Sequence, residues 1–158
     1  MVLVSGAKMS KSLYLIRWLG EAGHKVILYE TPKYWCSGSR FSKYVETFYM
    51  VSDFREDEGK KYRQEILEIA KRHNIDWFIP ACSPASENID SFVADDLRSE
   101  LDCKVLHLAS KHLDTFQNKH QFCELVGKLG LKTPRSFIVN SDEEAIRVNK
   151  QLHAEGLA

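Results

Sequence analysis

The sequence predicts an α/β fold with a doubly wound parallel sheet, followed by the first elements of a second domain. Short apolar runs alternate with helical periodicity along residues 1–109, and such alternation is typical of parallel strands joined by right-handed crossover helices. A helix-stop glycine, a proline and a capping signature follow beyond residue 110. We therefore predict a Rossmann-like domain over 1–109 and a truncated second domain over 110–158.

The predicted elements of the first domain are five strands and the helices between them. Apolar residues bounded by turn residues predict strands at 2–4, 26–29, 48–51, 77–79 and 105–108. Spacing of i, i+3, i+4 and i+7 predicts apolar helix faces that pack on the sheet. These faces comprise Leu15, Trp18, Leu19 and Ala22, then Tyr62, Ile66, Ile69 and Ala70, then Ile89, Phe92, Val93 and Leu97.

The second domain is predicted to begin with helices over 111–130. Gly130 is placed to end the second of them, and Pro134 follows. A strand is predicted at 136–139. Ser141, with Glu144 three residues later, forms a capping-box signature for a last helix that reaches about residue 153.

Composition excludes several classes of function. Lys plus Arg equals Asp plus Glu at 22 each, so the sequence carries no overall basic charge for nucleic acid. No apolar run approaches the roughly 20 residues that span a bilayer, and the start lacks a signal-peptide layout, so we expect a cytoplasmic protein without membrane contact. The cysteines are widely separated and interpreted as reduced, mostly buried thiols rather than a zinc site or disulfides. They are Cys36, Cys82, Cys103 and Cys123.

The loop after the first strand resembles a nucleotide-binding turn only in outline. Gly6 is the one glycine of a GxGxxG pattern present, although Glu30 ends the next strand where dinucleotide folds place a ribose-binding acid. The match to a P-loop is weaker still, because the segment is one residue short and lacks the glycine before Lys11. Backbone N–H groups at the helix start, with Lys8 and Lys11 nearby, can hold an anion. The alternative is two solvated lysines on a turn.

Two further loops carry candidate binding residues. Residues 33–44 concentrate Tyr34, Trp35, Arg40 and Phe41 after the second strand, and this segment is either a substrate wall or a cover over the sheet edge. After the fourth strand, Ser83 precedes Pro84 at a predicted helix start, with Glu87 in the first turn. Ser83 and Glu87 either contact a substrate or stabilise their helix as a cap and a dipole partner.

Residues 116–137 carry a more specific resemblance. Asn118 and Lys119, an amphipathic helix, and Gly130 followed by Pro134 resemble the opening of the ATP-grasp fold, and the unit before them is similar to a preATP-grasp domain. The resemblance implies that Lys119 reaches ATP phosphates, as a flexible ammonium can, and that ATP and Mg²⁺ are the cofactors of the full-length parent. The segments at 2–28, 33–42 and 79–91 resemble the ATP-grasp ligases of mycosporine biosynthesis, which join glycine to 4-deoxygadusol.

This resemblance implies an N-terminal fragment that is inactive alone. The family's catalytic and magnesium-binding residues lie beyond residue 158, so no catalytic or metal residue is predicted here. We expect small-molecule substrates, a missing C-terminal ATP-grasp domain as partner, and leave a homodimer open. The loops that would form one wall of the acceptor site contain Ser5, Gly6, Lys8, Trp35, Arg40, Ser83 and Glu87. Two alternatives remain: an NAD-dependent oxidoreductase, and a non-catalytic Rossmann- or flavodoxin-like ligand-binding module.

Overall fold

The computed structural model describes residues 1–81 and 85–156 and forms two compact units, Met1–Leu113 and the chain from Asp114 onward. The first unit is built on a five-stranded, all-parallel sheet, which confirms the predicted α/β fold. Its strands are β1 (Val2–Val4), β2 (Val26–Glu30), β3 (Val45–Met50), β4 (Trp77–Ile79) and β5 (Lys104–Val105).

The strand order, β3-β2-β1-β4-β5, determines where ligands can approach the sheet. From β1 the chain winds outward to β2 and β3, and from β4 it winds the other way to β5. The loops after β1 and β4 therefore separate at the carboxyl edge and leave a crevice between them. In open α/β sheets this topological switch point is the usual ligand site.

Both faces of the sheet are covered because side chains alternate along each strand. Helix α1 (Ser10–Glu21) contributes Ile16 to a core cluster with Val4 and Leu28 on one face. On the other face, Leu3 packs with residues of α2 (Lys60–His73) and α3 (Glu87–Glu100). Strands covered on both faces read as continuous apolar runs, which is why the short β1 was recognisable in the sequence.

The predicted helix faces are partly wrong. Trp18 was placed on the packed stripe of α1, but it is 71% exposed, and the buried positions are Ser12 and Ile16. Phe92, predicted on the packed face of α3, is 42% exposed. In both helices the packed face is narrower than predicted or offset from the prediction, because apolar spacing defines a broad stripe and does not say which of its positions contact the sheet.

Among the described residues of the second unit, 114–156, the helices have no buried position, and the first of these helices begins before the unit boundary. Helix α4 (Ser110–Gln117) runs up to the N-cap of α5 (Lys119–Lys128), where the Asn118 side chain accepts hydrogen bonds from the His120 and Gln121 N–H groups at 3.0 and 3.2 Å. Gly130 lies just beyond the end of α5 with φ +76°, a left-handed conformation that favours glycine. These features agree with the predicted helix boundaries.

The capping signature at Ser141 is present, but the strand before it is not. Ser141 accepts a hydrogen bond from the Glu144 N–H at 3.2 Å, and Glu144 accepts from the Asn140 N–H at 2.8 Å, at the start of α6 (Asp142–Ala154). Residues 131–140 form neither helix nor strand, so the strand predicted at 136–139 is wrong. A strand needs a neighbour for its backbone groups, and the described part of this unit offers none.

The described helices contain no segment long and apolar enough to cross a bilayer.

Candidate functional site

The candidate site lies at the carboxyl edge of the sheet, where the loop after β1 is held by its neighbours. The Ser12 hydroxyl donates to the Gly6 carbonyl at 2.6 Å, and Gly6 adopts φ +73°. From the other side of the crevice, the Ala81 N–H donates to the Ser5 hydroxyl at 3.0 Å. The Ala81–Ser5 bond connects the loops after β1 and β4 at the switch point, whereas the Ser12–Gly6 bond fixes the loop after β1 on α1. Ser5 and Ser12 are both buried.

Glu30 occupies the position expected for a ribose-binding acid, but its carboxylate binds the protein itself. It is 6% exposed and accepts hydrogen bonds from the Lys8 N–H at 3.1 Å, the Thr31 N–H at 2.9 Å and the Thr31 hydroxyl at 3.3 Å. The Lys8 N–H is one of the groups that would otherwise face a pyrophosphate. Glu30 therefore opposes dinucleotide binding at this loop and fixes the loop on β2.

A narrow cleft of about 10 Å³ lies beside this loop, enough for about one water molecule. Beneath it, the Tyr62 hydroxyl donates to the buried Asp90 carboxylate at 2.8 Å and lies 3.3 Å from the Tyr29 hydroxyl. Its lining includes Gly6, Lys8, Tyr29, Glu30, Tyr62 and Ser86. The cleft is bordered by polar and aromatic side chains, Phe54 among them, and has no room for a substrate.

A wider hollow of about 300 Å³ opens on the other side of Lys8. It is formed by the loop after β2, which begins with a single 3₁₀ turn at Pro32–Tyr34, and its lining includes Lys33, Tyr34, Trp35, Cys36 and Ser37. The Lys8 ammonium lies 4.2 Å from the centroid of the Tyr34 ring. Lys8 therefore borders both cavities, and the structure brings it together with Trp35, as an acceptor wall would require.

Arg40 lies in the same loop but contacts the protein rather than the hollow. Its guanidinium donates to the Trp35 carbonyl at 3.1 Å and lies 4.9 Å from the centroid of the Phe48 ring. Cation–π contact and the hydrogen bond both restrain the loop. In this arrangement Arg40 positions Trp35, and the structure does not place it among the residues that line the hollow.

The remaining candidate residues are placed as follows. Ser83 lies outside the described residues. Glu87 is half-buried in the first turn of α3 and lines neither of the two cavities. The described part of this segment has α3 beginning at Glu87 with Ser86 as its N-cap. Lys119 is exposed at the first position of α5, as the sequence predicted.

Three residues of the edge were missed by sequence reasoning. Tyr62 and Asp90 lie on α2 and α3, and their spacing resembles that of ordinary core positions. Tyr62 and Asp90 are brought together by the packing of α2 on α3, so no local pattern in the sequence indicates that they are close. Lys33 was within the aromatic segment but was not singled out, although a lysine beside Tyr34 is a visible cation–π signal.

Asp95 and Cys103 are two of the groups in the first unit whose pKa values are shifted, and neither lines the hollow. Burial opposes ionisation of Asp95, but the Ser110 hydroxyl and N–H and the charge of Arg98 together hold the pKa of Asp95 below its usual value. The Asp95 carboxylate accepts the Ser110 N–H at 3.1 Å at the start of α4. Burial, with a smaller effect of Asp76, raises the pKa of the Cys103 thiol.

The thiols and acids that the structure describes do not form a metal centre. Cys36 is exposed, Cys123 is half-buried and Cys103 is buried, all of them as free thiols, while Cys82 lies outside the described residues. Across residues 1–81 and 85–156, no cluster of three His, Cys, Asp or Glu side chains can hold a metal ion.

The fold is that of the N-terminal, preATP-grasp region of biotin carboxylase domains, which belong to the ATP-grasp superfamily. The biotin carboxylase domain of a single-chain bacterial carboxylase matches 96% of this chain with TM-score 0.65 and 18% identity. The corresponding domain of Hydrogenobacter thermophilus 2-oxoglutarate carboxylase, solved with MgADP, ADP and bicarbonate, matches 96% with TM-score 0.64 and 18% identity. A biotin carboxylase complex with βγ-ATP from Campylobacter jejuni matches 85% with TM-score 0.62 and 16% identity.

The match covers only part of these proteins. This chain spans 34%, 32% and 29% of the three solved chains, respectively. No protein-family model matches the chain, and the comparison with curated proteins gives no match.

Proposed function

We propose that this chain is the N-terminal part of an ATP-grasp ligase and that its sheet edge supplies one wall of the acceptor site. The observation that carries the proposal is the position of Lys8. Lys8 lies at the carboxyl edge of a preATP-grasp fold. It lines both the narrow cleft beside the loop after β1 and the hollow formed by the loop after β2. Ligands of open α/β sheets bind at this edge.

The second unit supports the nucleotide part of the proposal. Lys119 is exposed at the start of α5, where its ammonium and the helix N-terminus both favour phosphate. We assign ATP binding to Lys119. The resemblance to the ATP-grasp family implies that magnesium and the reacting groups are held by other parts of the parent protein.

The surface of the second unit also favours additional protein around it. None of its described residues, 114–156, is buried, and several large apolar side chains are exposed. They are Phe116, Phe122, Leu129, Leu131, Ile138 and Ile146. Soluble domains normally bury such a set of side chains against a core, so the rest of an ATP-grasp domain is the covering structure that we propose.

In its finer form, the proposal is that the parent joins glycine to 4-deoxygadusol. Its support is the resemblance of three separate segments to the mycosporine ligases. The acceptor-wall candidates are Gly6, Lys8, Trp35 and Ser83. Ser5, which is buried, holds the loop after β1, while Arg40 positions Trp35 and Glu87 lies at the helix start. Such a ligase activates an oxygen of its acceptor with ATP, and the residues described here bind and orient that acceptor.

The test is ADP release by the chain extended to the natural end of its gene, with magnesium-ATP and with or without glycine and 4-deoxygadusol. ADP that forms only when both substrates are present supports the finer proposal. ADP that requires a different acid and amine retains the ligase and removes the mycosporine assignment. No ATP consumption under any condition removes the ligase and favours a ligand-binding module, whereas heat on titration with NAD would revive the oxidoreductase.

Single substitutions test which residues bind the acceptor and which bind ATP. Lys8→Ala or Trp35→Ala should raise the KM of the acceptor about tenfold, and Lys119→Ala should raise the KM of ATP by a similar factor, because each removes about 1.4 kcal/mol of binding. Lys128→Ala, at the exposed last position of α5, is the matched control. Equal effects of Lys119→Ala and Lys128→Ala would contradict the assignment of Lys119.

A further inference from the structure

We propose that the hollow over Tyr34 binds a small oxyanion, a carboxylate or a phosphate carried on a ring compound, between Lys8 and Lys33. This inference deepens the acceptor-wall proposal and rests on its coarser form, because the oxyanion would belong to the acceptor, and 4-deoxygadusol carries neither a carboxylate nor a phosphate. Lys33 is assigned here as a specificity residue of that wall.

The first argument is the convergence of positive charge. The ammonium groups of Lys8 and Lys33 lie 4.2 and 5.5 Å from the centroid of the same Tyr34 ring. Among the described residues, neither forms a salt bridge with a carboxylate within 4.0 Å. A ring face attracts a cation without neutralising it, so two like charges in one hollow favour an anion between them.

The acid next to this loop does not supply that anion. Glu30 is buried and already accepts hydrogen bonds from the backbone of Lys8 and from Thr31. Its hydrogen-bonding capacity is directed at the protein, so the two ammonium groups remain available to a ligand.

The second argument is a hydroxyl. Ser37 lines the hollow, and its Oγ is shielded from solvent without a hydrogen-bond partner in the part of the chain that the structure describes. Shielded hydroxyls without a partner are rare in native proteins, and each calls for an explanation. An oxyanion bound in the hollow would supply a partner for this hydroxyl.

The third argument is the shape of the hollow. Its volume of about 300 Å³ is at the lower end of small-molecule sites, which begin near about 300 Å³. Trp35, 54% exposed, lines it with a flat apolar surface. A small ring that carries one anionic group matches both the size and this combination of charge and aromatic wall.

Cys36 makes the site measurable, since it is exposed and lines the hollow. The 158-residue chain is treated with iodoacetamide at constant ionic strength, and alkylation of each cysteine is followed by peptide mass spectrometry. Benzoate and inorganic phosphate serve as oxyanion probes, and benzamide is the neutral analogue of benzoate. Saturation-transfer NMR detects bound benzoate independently, in case it leaves the thiol accessible.

The expected result is saturable binding of at least one oxyanion, seen as slower Cys36 alkylation or as saturation transfer, with no effect of benzamide. Lys33→Ala should raise the half-saturating concentration about tenfold, equivalent to ~1.4 kcal/mol. Lys43→Ala is the matched control, because Lys43 also lies over a tyrosine ring, at 4.9 Å from Tyr44, outside the hollow. Benzoate alone would identify a carboxylate site and phosphate alone a phosphate site.

Three results would overturn the inference: no saturable effect by either method, equal binding of benzamide, or equal loss in the Lys33 and Lys43 variants. Its failure is separate from that of the ligase. ADP release with an unoccupied hollow removes only this inference, whereas oxyanion binding without ATP consumption leaves the site in a protein of another class.

Discussion

Replacing Gly59 with alanine should destabilise the first unit by about 2–5 kcal/mol, the sum of two separate effects. Gly59 has φ +73°, and a left-handed conformation costs an L-residue roughly 1–2 kcal/mol. A Cβ at this position would lie 2.7 Å from Ile89 Cγ2 and 3.1 Å from Ile89 Cδ1, and such overpacking costs about 1–3 kcal/mol. Urea unfolding followed by far-UV circular dichroism measures the change.

A second glycine with positive φ, Gly23, isolates the cost of the left-handed backbone conformation. Gly23 has φ +84°, and an added Cβ would meet nothing within 4 Å, so Gly23→Ala should cost only about 1–2 kcal/mol. Adding Ile89→Ala to Gly59→Ala should recover the packing term, as a coupling of about 1–3 kcal/mol in the double-mutant cycle. Equal losses for the two glycine variants, or a coupling near zero, would refute the close packing of α2 on α3 at this point.

Three further outcomes are expected. Glu30→Gln should destabilise the first unit by about 2–3 kcal/mol and accelerate hydrogen exchange of the Lys8 amide, because hydrogen bonds to a charged acceptor are the stronger class. Since Ser110 helps hold the pKa of Asp95 below its usual value, stability contributed by Asp95 should be lost as pH falls through that lowered pKa, and Asp95→Asn should flatten this part of the stability profile. Iodoacetamide at pH 8 should alkylate Cys36 at least about tenfold faster than Cys103, whose pKa is raised by burial.

Each of these outcomes has a control. Glu46→Gln removes an exposed carboxylate that pairs with Lys25 at 2.9 Å and should change stability by less than about 1 kcal/mol. If Glu46→Gln and Glu30→Gln lower the free energy of unfolding equally, the burial of Glu30 does not explain the effect of its substitution. If the protein and its Asp95→Asn variant lose stability identically at low pH, the lowered pKa of Asp95 is contradicted. Equal alkylation rates of Cys36 and Cys103 would contradict the burial of Cys103.

The parallel sheet was predictable because its strands are covered on both faces. A strand that is buried on both faces has an uninterrupted apolar run such as Val2–Val4 in its sequence. The right-handed connections between parallel strands then limit how the strands can be arranged. The strand at 136–139 was wrong because apolar composition alone does not provide a pairing partner. Trp18 was misplaced because periodicity describes one helix, whereas its orientation depends on the sheet against which it packs.

The candidate site was only partly predictable for a related reason. Loops after parallel strands meet at one edge, so the proximity of Lys8 and Trp35 followed from topology. The hydrogen bond between Tyr62 and Asp90, and the approach of Lys33 to Tyr34, depend on side-chain positions across separate elements or within an irregular loop. The ligand roles of these residues stay predictions until binding is measured.

The hydrogen bonds around the loop after β1 have a consequence for the thermodynamics of association. Ser12 and Ala81 hold this loop through Gly6 and Ser5, and Glu30 holds it through the Lys8 amide. Backbone that is ordered before an encounter loses little conformational entropy when a ligand arrives. The loss of conformational entropy on binding should therefore come mainly from the Lys8 and Lys33 side chains. Replacing either lysine with a shorter residue removes a charge, but it also leaves fewer rotatable bonds to immobilise.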